Sequence, residues 1–305
     1  MILPRRETSD VEVRRVRAGE DREVRDRVAV EEPLEIRIER SGAGGARAVH
    51  PVSVTMRTPG DDFELAAGFL HGEGFLAERR DLRRIRYCTG DEPQEYNLVS
   101  VELAPWSHFD PALLNRNFYM TSSCGVCGKA SLEAVEVRGC APLAPEIGSA
   151  FDPELLRTLP DALRAQQGVF RRTGGIHAAA LVRPDGSISV VREDVGRHNA
   201  VDKVVGHAFL AGTLPASDGL LLVSGRASFE ILQKALAAGI PFVAAVGAPS
   251  SLAVDLARQF GMTLVGFLGS HGFNVYAGGH RVSGGTAPAL ETPAEPGGVA
   301  GGGGP

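Results

Sequence analysis

LLLVSGRASFEILQKALAAGIPFVAAVGAPSSLAVDLARQFGMTLVGFL, residues 220–268, decides the fold. Three short, almost wholly apolar runs (LLLVS, PFVAAVG and TLVGFL) are separated by FEILQKALAAG and SLAVDLARQFG, in which apolar residues return every three or four positions. A brief apolar run bounded by turn residues reads as a strand covered on both faces, and the longer period reads as a helix with one buried stripe. Strands alternating with helices of about ten residues predict a layered α/β domain with a largely parallel sheet.

Upstream, IHAAALV and SISVV are two more strands joined by the turn Pro184-Asp185-Gly186, and Val201, Val204, Val205, Ala208 and Phe209 mark an amphipathic helix. Residues 152–167 suit helical turns broken at Pro160. This α/β domain is expected to span 121–282.

A smaller α+β domain is expected over 28–120. In VAVEEPLEIRIER, Leu34, Ile36 and Ile38 alternate with polar residues, SGAGG reads as a hairpin loop, and HPVSVTMR is the returning strand. Thr58-Pro59-Gly60-Asp61-Asp62 opens a helix whose Phe63, Ala66, Ala67 and Leu70 share one face, and Gly72 and Gly74 end it. Apolar segments at Ile85–Cys88 and Asn97–Leu103 complete the unit, with Cys88 expected as a buried, inert thiol. Residues 1–27, polar and arginine-rich, read as a flexible arm in which Val11–Val16 can add an edge strand, and 283–305, mostly glycine, proline and alanine, as a disordered tail.

The 305 residues are 43% hydrophobic and 23% charged, enough to bury a core. A net charge of −5 argues against a broad grip on nucleic acid, so an anionic ligand needs a local site. MILPRRETSD lacks the apolar core of a signal peptide, and no run approaches the roughly 20 apolar residues of a bilayer span. A cytoplasmic protein without membrane contact is expected. In a reducing compartment Cys88, Cys124, Cys127 and Cys140 are catalytic or metal-binding rather than disulfide-bonded.

Chemistry concentrates in few places. Ser224-Gly225-Arg226-Ala227-Ser228 and Gly247-Ala248-Pro249-Ser250-Ser251 put small residues and hydroxyls where a strand meets a helix amino end, which favours phosphate oxygens, and Arg226 adds a planar fork. Gly196-Arg197-His198-Asn199-Ala200-Val201-Asp202-Lys203 crowds polar side chains into one helix start, a candidate site. His177 reads equally as a core histidine or a functional one. In MTSSCGVCGKAS, residues 120–131, Cys124 and Cys127 lie in a glycine-flanked loop beside hydroxyls and Lys129, which favour thiolate. The pair is open to three readings: half of a zinc site, a dithiol oxidoreductase, or a sulfur carrier holding a persulfide.

MRTPGDDFELAAGFLHGEGF, TSSCGVCGKAS, EDVGRHNAVDKVVG, SGRASFEILQKALAAGIPFVAAVGAPSSLAVDLA and LVGFLGSHGFNVY, in this order between about Val28 and Gly278, together resemble the formate dehydrogenase accessory sulfurtransferases, the FdhD/NarQ family. The resemblance implies a sulfurtransferase that accepts sulfur from a cysteine desulfurase. It would pass that sulfur to a molybdenum or tungsten bis-guanine-dinucleotide cofactor destined for formate dehydrogenase. It implies Cys124 as the persulfide residue, Cys127 as its assistant, a homodimer, and a second domain similar to cytidine deaminases. It also implies cofactor binding by Phe267, Leu268, Gly269, Ser270, His271 and Gly272. Because this stretch offers His271 as its potential cation, Arg226 gains weight as a phosphate contact. A deaminase needs HxE or CxE and PCxxC at successive helix starts, and here those turns read RHNAVDK and GRASFE, so deamination is excluded on ligand count. The rival expectation is a non-catalytic chaperone that holds the cofactor for formate dehydrogenase.

Overall fold

The computed structural model describes residues 6–41, 47–88, 96–107, 109 and 141–284. In chain order its elements are β1 (Thr8–Arg17), β2 (Glu20–Ala29), β3 (Glu32–Ser41), β4 (Arg47–Arg57), α1 (Asp62–Gly72), β5 (Leu82–Tyr87), β6 (Leu98–Leu103), α2 (Pro153–Gln166), α3 (Gly168–Thr173), β7 (His177–Val182), β8 (Ile188–Asp194), α4 (Arg197–Ala211), β9 (Leu220–Val223), α5 (Phe229–Ala237), β10 (Phe242–Ala245), α6 (Ser251–Gln259), β11 (Thr263–Gly269) and β12 (Gly272–Ala277).

The six-stranded sheet runs β12-β11-β10-β9-β7-β8. Its alternation sorts side chains cleanly. Leu221, Val223, Ala179, Val243, Ala245 and Leu264 face α4, α5 and α6, and meet Val201, Val204, Ile231, Leu232, Ala253 and Leu256. Ala178, Ala180, Leu220, Leu222, Phe242, Ala244 and Val265 face the other way onto Leu156, Leu159 and Leu163 of α2. Each such leucine adds roughly 1.5–3 kcal/mol by leaving water. The sheet is less parallel than the sequence suggests. Only β9, β10 and β11 run together, whereas β7 is antiparallel to both neighbours and β12 is antiparallel to β11. The reason is local. The Pro184-Asp185-Gly186 turn, closed by Arg183 N–H donating to Ser187 O and Gly186 N–H donating to Arg183 O, makes β7–β8 a hairpin, and the α4 crossover then sets β9 against β7.

Two further expectations change. Pro160 does not break α2: the helix is continuous, Asp152 caps it by accepting from the amides of Glu154 and Leu155, and Leu156, Leu159 and Leu163 are buried along one side. Their burial offsets the ~3 kcal/mol that an internal proline costs. Of the residues read as a flexible arm, 8–17 and 20–27 instead lie in β1 and β2, a two-stranded antiparallel ribbon registered from Thr8 opposite Ala29 to Arg17 opposite Glu20. The Val11–Val16 edge-strand alternative falls within β1. The ribbon is secured near its base by an Arg172–Glu7 ion pair of 2.9 Å and by Val30 N–H donating to Glu7 O.

The four-stranded sheet runs β4-β3-β6-β5, with β3 antiparallel to β4 and parallel to β6. Leu65, Ala66, Ala67 and Leu70 of α1 cover Leu34, Ile36, Ile38, Val99 and Val101, and Phe209 from α4 enters the same core. Helices α1 and α4 cross with their backbones touching. A Cβ on Gly68 would lie 1.9 Å from Asp202 O, and one on Gly206 would lie 1.8 Å from Glu64 O. Cys88 is half-buried, its Sγ 2.9 Å from Ser100 Oγ. The result is a two-domain α/β fold.

Candidate functional site

The parallel strands β9, β10 and β11 end at one edge of the large sheet. β7, antiparallel to β9, begins there with His177, and β8 ends there at Asp194 and hands the chain to α4. The departing turns stack on one another. Gly247 N–H donates to Gly225 O at 3.0 Å, Ser250 N–H to Ala227 O at 2.9 Å and Phe267 N–H to Gly247 O at 3.1 Å. The two strand-to-helix turns and the Phe267–Gly272 stretch are thereby held side by side.

The charged helix start divides between two roles. Lys203 Nζ lies 2.8 Å from Asp194 and donates to Thr58 O at 3.0 Å and Glu193 O at 3.2 Å. Asn199 Nδ2 donates to Met56 O at 2.8 Å, and Asp202 pairs with Lys234 at 2.7 Å. All of these are buried, and those to Thr58 and Met56 tie α4 to the smaller domain. The segment read from sequence as one site is therefore partly a junction. Arg197 and His198 remain for the sheet edge.

His198 Nε2 sits 3.0 Å from Ser228 Oγ and 2.9 Å from Glu230 Oε2. Ser228 occupies the N-cap of α5 without capping it, since its hydroxyl is turned to the imidazole. The His198 hydrogen bond holds the Glu230 carboxyl below the usual range. Both partners meet the same ring nitrogen, so this is not the relay of a serine hydrolase, in which acid and hydroxyl engage opposite nitrogens. The pairing joins residues 32 apart in sequence, and only the strand order brings them together. Sequence reading missed Glu230 for that reason.

His177 is half-buried at the start of β7, and a Cβ on Gly225 would stand 3.3 Å from its Nδ1 and 3.8 Å from Arg197 Cδ. Burial lowers its pKa, and the neighbouring Arg197 guanidinium lowers it further. Its ring lies at the edge of the site, where these surroundings disfavour its protonated form. Arg197 Nε is enclosed and has no hydrogen-bond partner among the described residues.

The sequence-predicted contacts fall unevenly. Arg226 is exposed at the turn after β9. Phe267 is 54% exposed with φ of 54°, in a register irregularity between Gly266 and Gly269 that aims its ring outward, whereas Leu268 is 2% exposed and belongs to the core. Gly269 and Gly272 pair across the β11–β12 turn, and Ser270 and His271 are exposed at its tip. Cys124, Cys127 and Cys140 lie outside the described residues. Among the described residues no helix is long and apolar enough to cross a membrane.

A mixed sheet whose carboxyl edge gathers Arg197, His198, Arg226 and stacked turns, tied through α4 to a smaller sheet domain, defines a two-domain α/β protein. Residues 29–283 match the model of the FdhD/NarQ family, and the chain belongs to that family. It is 55% identical to the sulfur carrier protein FdhD of Streptomyces coelicolor over 281 residues, covering 91% of this chain and 96% of that one. The sulfur carrier protein FdhD of Mycobacterium tuberculosis is 52% identical over 263 residues, covering 84% and 91%. A crystal structure assigned as a formate dehydrogenase accessory protein from Desulfotalea psychrophila superimposes with a TM-score of 0.69 at 24% identity, covering 91% of this chain and all of that one. That last likeness speaks to the fold.

Proposed function

We propose that this chain is a sulfur carrier for formate dehydrogenase maturation, with Cys124 as the carrying residue and a guanine-dinucleotide molybdenum or tungsten cofactor as the acceptor substrate. Cys124 thiolate attacks the outer sulfur of a cysteine desulfurase persulfide; an S–S bond forms to Cys124 and the donor cysteine leaves as thiolate. Cys127 thiolate then attacks the Cys124 sulfur, releases the outer sulfur as hydrosulfide towards the acceptor, and leaves a Cys124–Cys127 disulfide for a cellular dithiol to reduce. Both exchanges conserve atoms and electrons.

The observation that carries the reading is the convergence of Arg197, His198, Arg226 and the Phe267–Gly272 stretch on one sheet edge, in a chain about half identical to sulfur carriers over most of its length. Arg226 would meet phosphate oxygens, and the outward ring of Phe267 offers a surface for a planar base. The family resemblance implies formate dehydrogenase as the destination, and the persulfide supplies the need for a desulfurase. A homodimer is part of the proposal.

Incubation with cysteine and a cysteine desulfurase is expected to add one sulfur atom to the intact protein, removable by dithiothreitol and mapped by alkylation to Cys124. A Cys124→Ala variant that still supports full formate dehydrogenase activity would leave only a cofactor-holding role.

A further inference from the structure

We infer that the cleft between α2 and α3 is a docking site for a short acidic segment of a partner protein, gripped between Arg164 and Arg171. The inference goes beyond the proposed function, because the grip does not depend on sulfur chemistry. The cleft encloses about 570 Å³ where α2 gives way to α3. Arg164 and Arg171 line it, both are exposed, and neither has a carboxylate partner among the described residues. Elsewhere the arginines hold acids: Arg14 holds Asp21, Arg57 Asp62, Arg86 Glu39 and Arg192 Glu64. Two unpaired guanidiniums facing one cleft break that habit.

Their positions are fixed reciprocally. Arg164 of α2 lies over the ring of Phe170 in α3, 4.8 Å from its centroid, and Arg171 of α3 donates through Nη1 to Ala165 O in α2. Each cation thus springs from one helix and is fastened to the other. A guanidinium has five N–H donors, and these tethers leave most of them for a carboxylate, which it meets through two parallel bonds. The negative end of α2 accounts for the single bond of Arg171 and leaves the rest of both forks unused. Side chains held in place beforehand lose less freedom when a ligand arrives.

The lining also selects the occupant. Asp161 lies in it, and Arg172, which lines it too, is already neutralised by Glu7 at 2.9 Å. The uncompensated positive charge is therefore small and local, in a chain whose net charge is −5. That suits one or two peptide carboxylates and opposes a nucleic acid or an anionic membrane, both of which need a broad basic surface. Phe170 is half-buried and already carries Arg164 on its ring, so it makes a poor stacking platform for a nucleobase. Gly174, at the end of the cleft, belongs to the short link that leads to His177 at the sheet edge, so a partner docked here stands beside that edge.

Fluorescence anisotropy of the full chain with a fluorescein-labelled hexapeptide of alternating alanine and glutamate tests this. The peptide is expected to bind, and the double variant Arg164→Glu/Arg171→Glu to weaken it by about 10–100-fold. Asp161→Asn, which removes a like charge from the lining, is expected to tighten it by about 2–5-fold. Arg83→Glu/Arg84→Glu on β5 changes the net charge equally and is expected to leave affinity within about 2-fold. A wild-type chain that ignores the peptide overturns the inference, as does an equal loss from the two double variants. If Arg164→Glu/Arg171→Glu fails to fold by circular dichroism, Asp161→Asn carries the test, and an affinity that falls or stays unchanged in it refutes the docking site. An oligouridylate, or vesicles containing phosphatidylserine, that bind with the same dependence on Arg164 and Arg171 while the peptide does not would give the cleft to another occupant and refute the acidic segment. Loss at Arg164→Glu/Arg171→Glu of a dimer seen by sedimentation, without peptide binding by wild type, would do so in favour of a second copy.

Discussion

Lys203 is 1% exposed and Arg57 is fully enclosed, and each survives burial because its partners are already in place. Arg57 meets Asp62 through two 2.9 Å bonds, and Lys203 meets Asp194 and two carbonyls. Removing one member of such a pair strands the other charge. Lys203→Ala is expected to cost about 3–5 kcal/mol in urea unfolding, whereas Arg226→Ala, at an exposed position, is expected to fall within about 0.5 kcal/mol of wild type. His177 titrates below its ordinary 6.5 in the folded chain. The unfolded chain then binds the extra proton first, so the contribution of His177 to stability is complete above pH 6.5 and is lost as the pH falls below it. His177→Gln is expected to flatten the thermal-melt profile on the acid side of that value. At this scale the sequence revealed that EDVGRHNAVDK was dense in polar groups, but not which way each points. Asn199 and Lys203 reach the backbone at Met56 and Thr58 of the smaller domain, more than a hundred residues earlier, whereas Asp202 pairs with Lys234 of α5.

Among elements, the α1–α4 crossing leaves least room. With carbonyl oxygens standing within 2 Å of where a Cβ would sit, Gly206→Ala or Gly68→Ala forces the helices apart and opens the packing of Phe209 and Leu65. Overpacking of this kind typically costs 1–3 kcal/mol, and a backbone contact puts the expected loss at or above the upper end, read as a lowered melting temperature by circular dichroism. Strands β7, β9, β10 and β11 were legible because they are mostly buried and their apolar runs are nearly unbroken. The β1–β2 ribbon was not. Its charges pair across strands, as Arg14 does with Asp21 and Arg27 with Asp10, and none of its residues is fully buried, so only the Val11–Val16 stretch hints at a strand. Pro160 misled for the opposite reason, because three leucines on one face outweigh a single missing amide bond.

At the scale of the molecule, the two sheets are tied by charged and hydrogen-bonded contacts as well as by packing. Arg192 of β8 reaches Glu64 of α1 at 2.5 Å, His207 of α4 joins the same carboxylate at 2.9 Å, and Asn199 and Lys203 bond the backbone at Met56 and Thr58. Calorimetry is expected to show a single unfolding transition rather than one per sheet, and Glu64→Ala to broaden or split it. The sequence divides the chain well enough into strand-rich and α/β parts, but it cannot show that one helix serves both, since that follows from which strand lies beside which. Helix α4 begins with Arg197 at the basic edge, passes Lys203 and Gly206 at the junction, and places Phe209 in the core of the smaller sheet. It is a shared axle. An occupant seized by its first turn would therefore be registered some twenty ångströms away, where slower amide exchange in β3 and β6 would report a visitor those strands never touch.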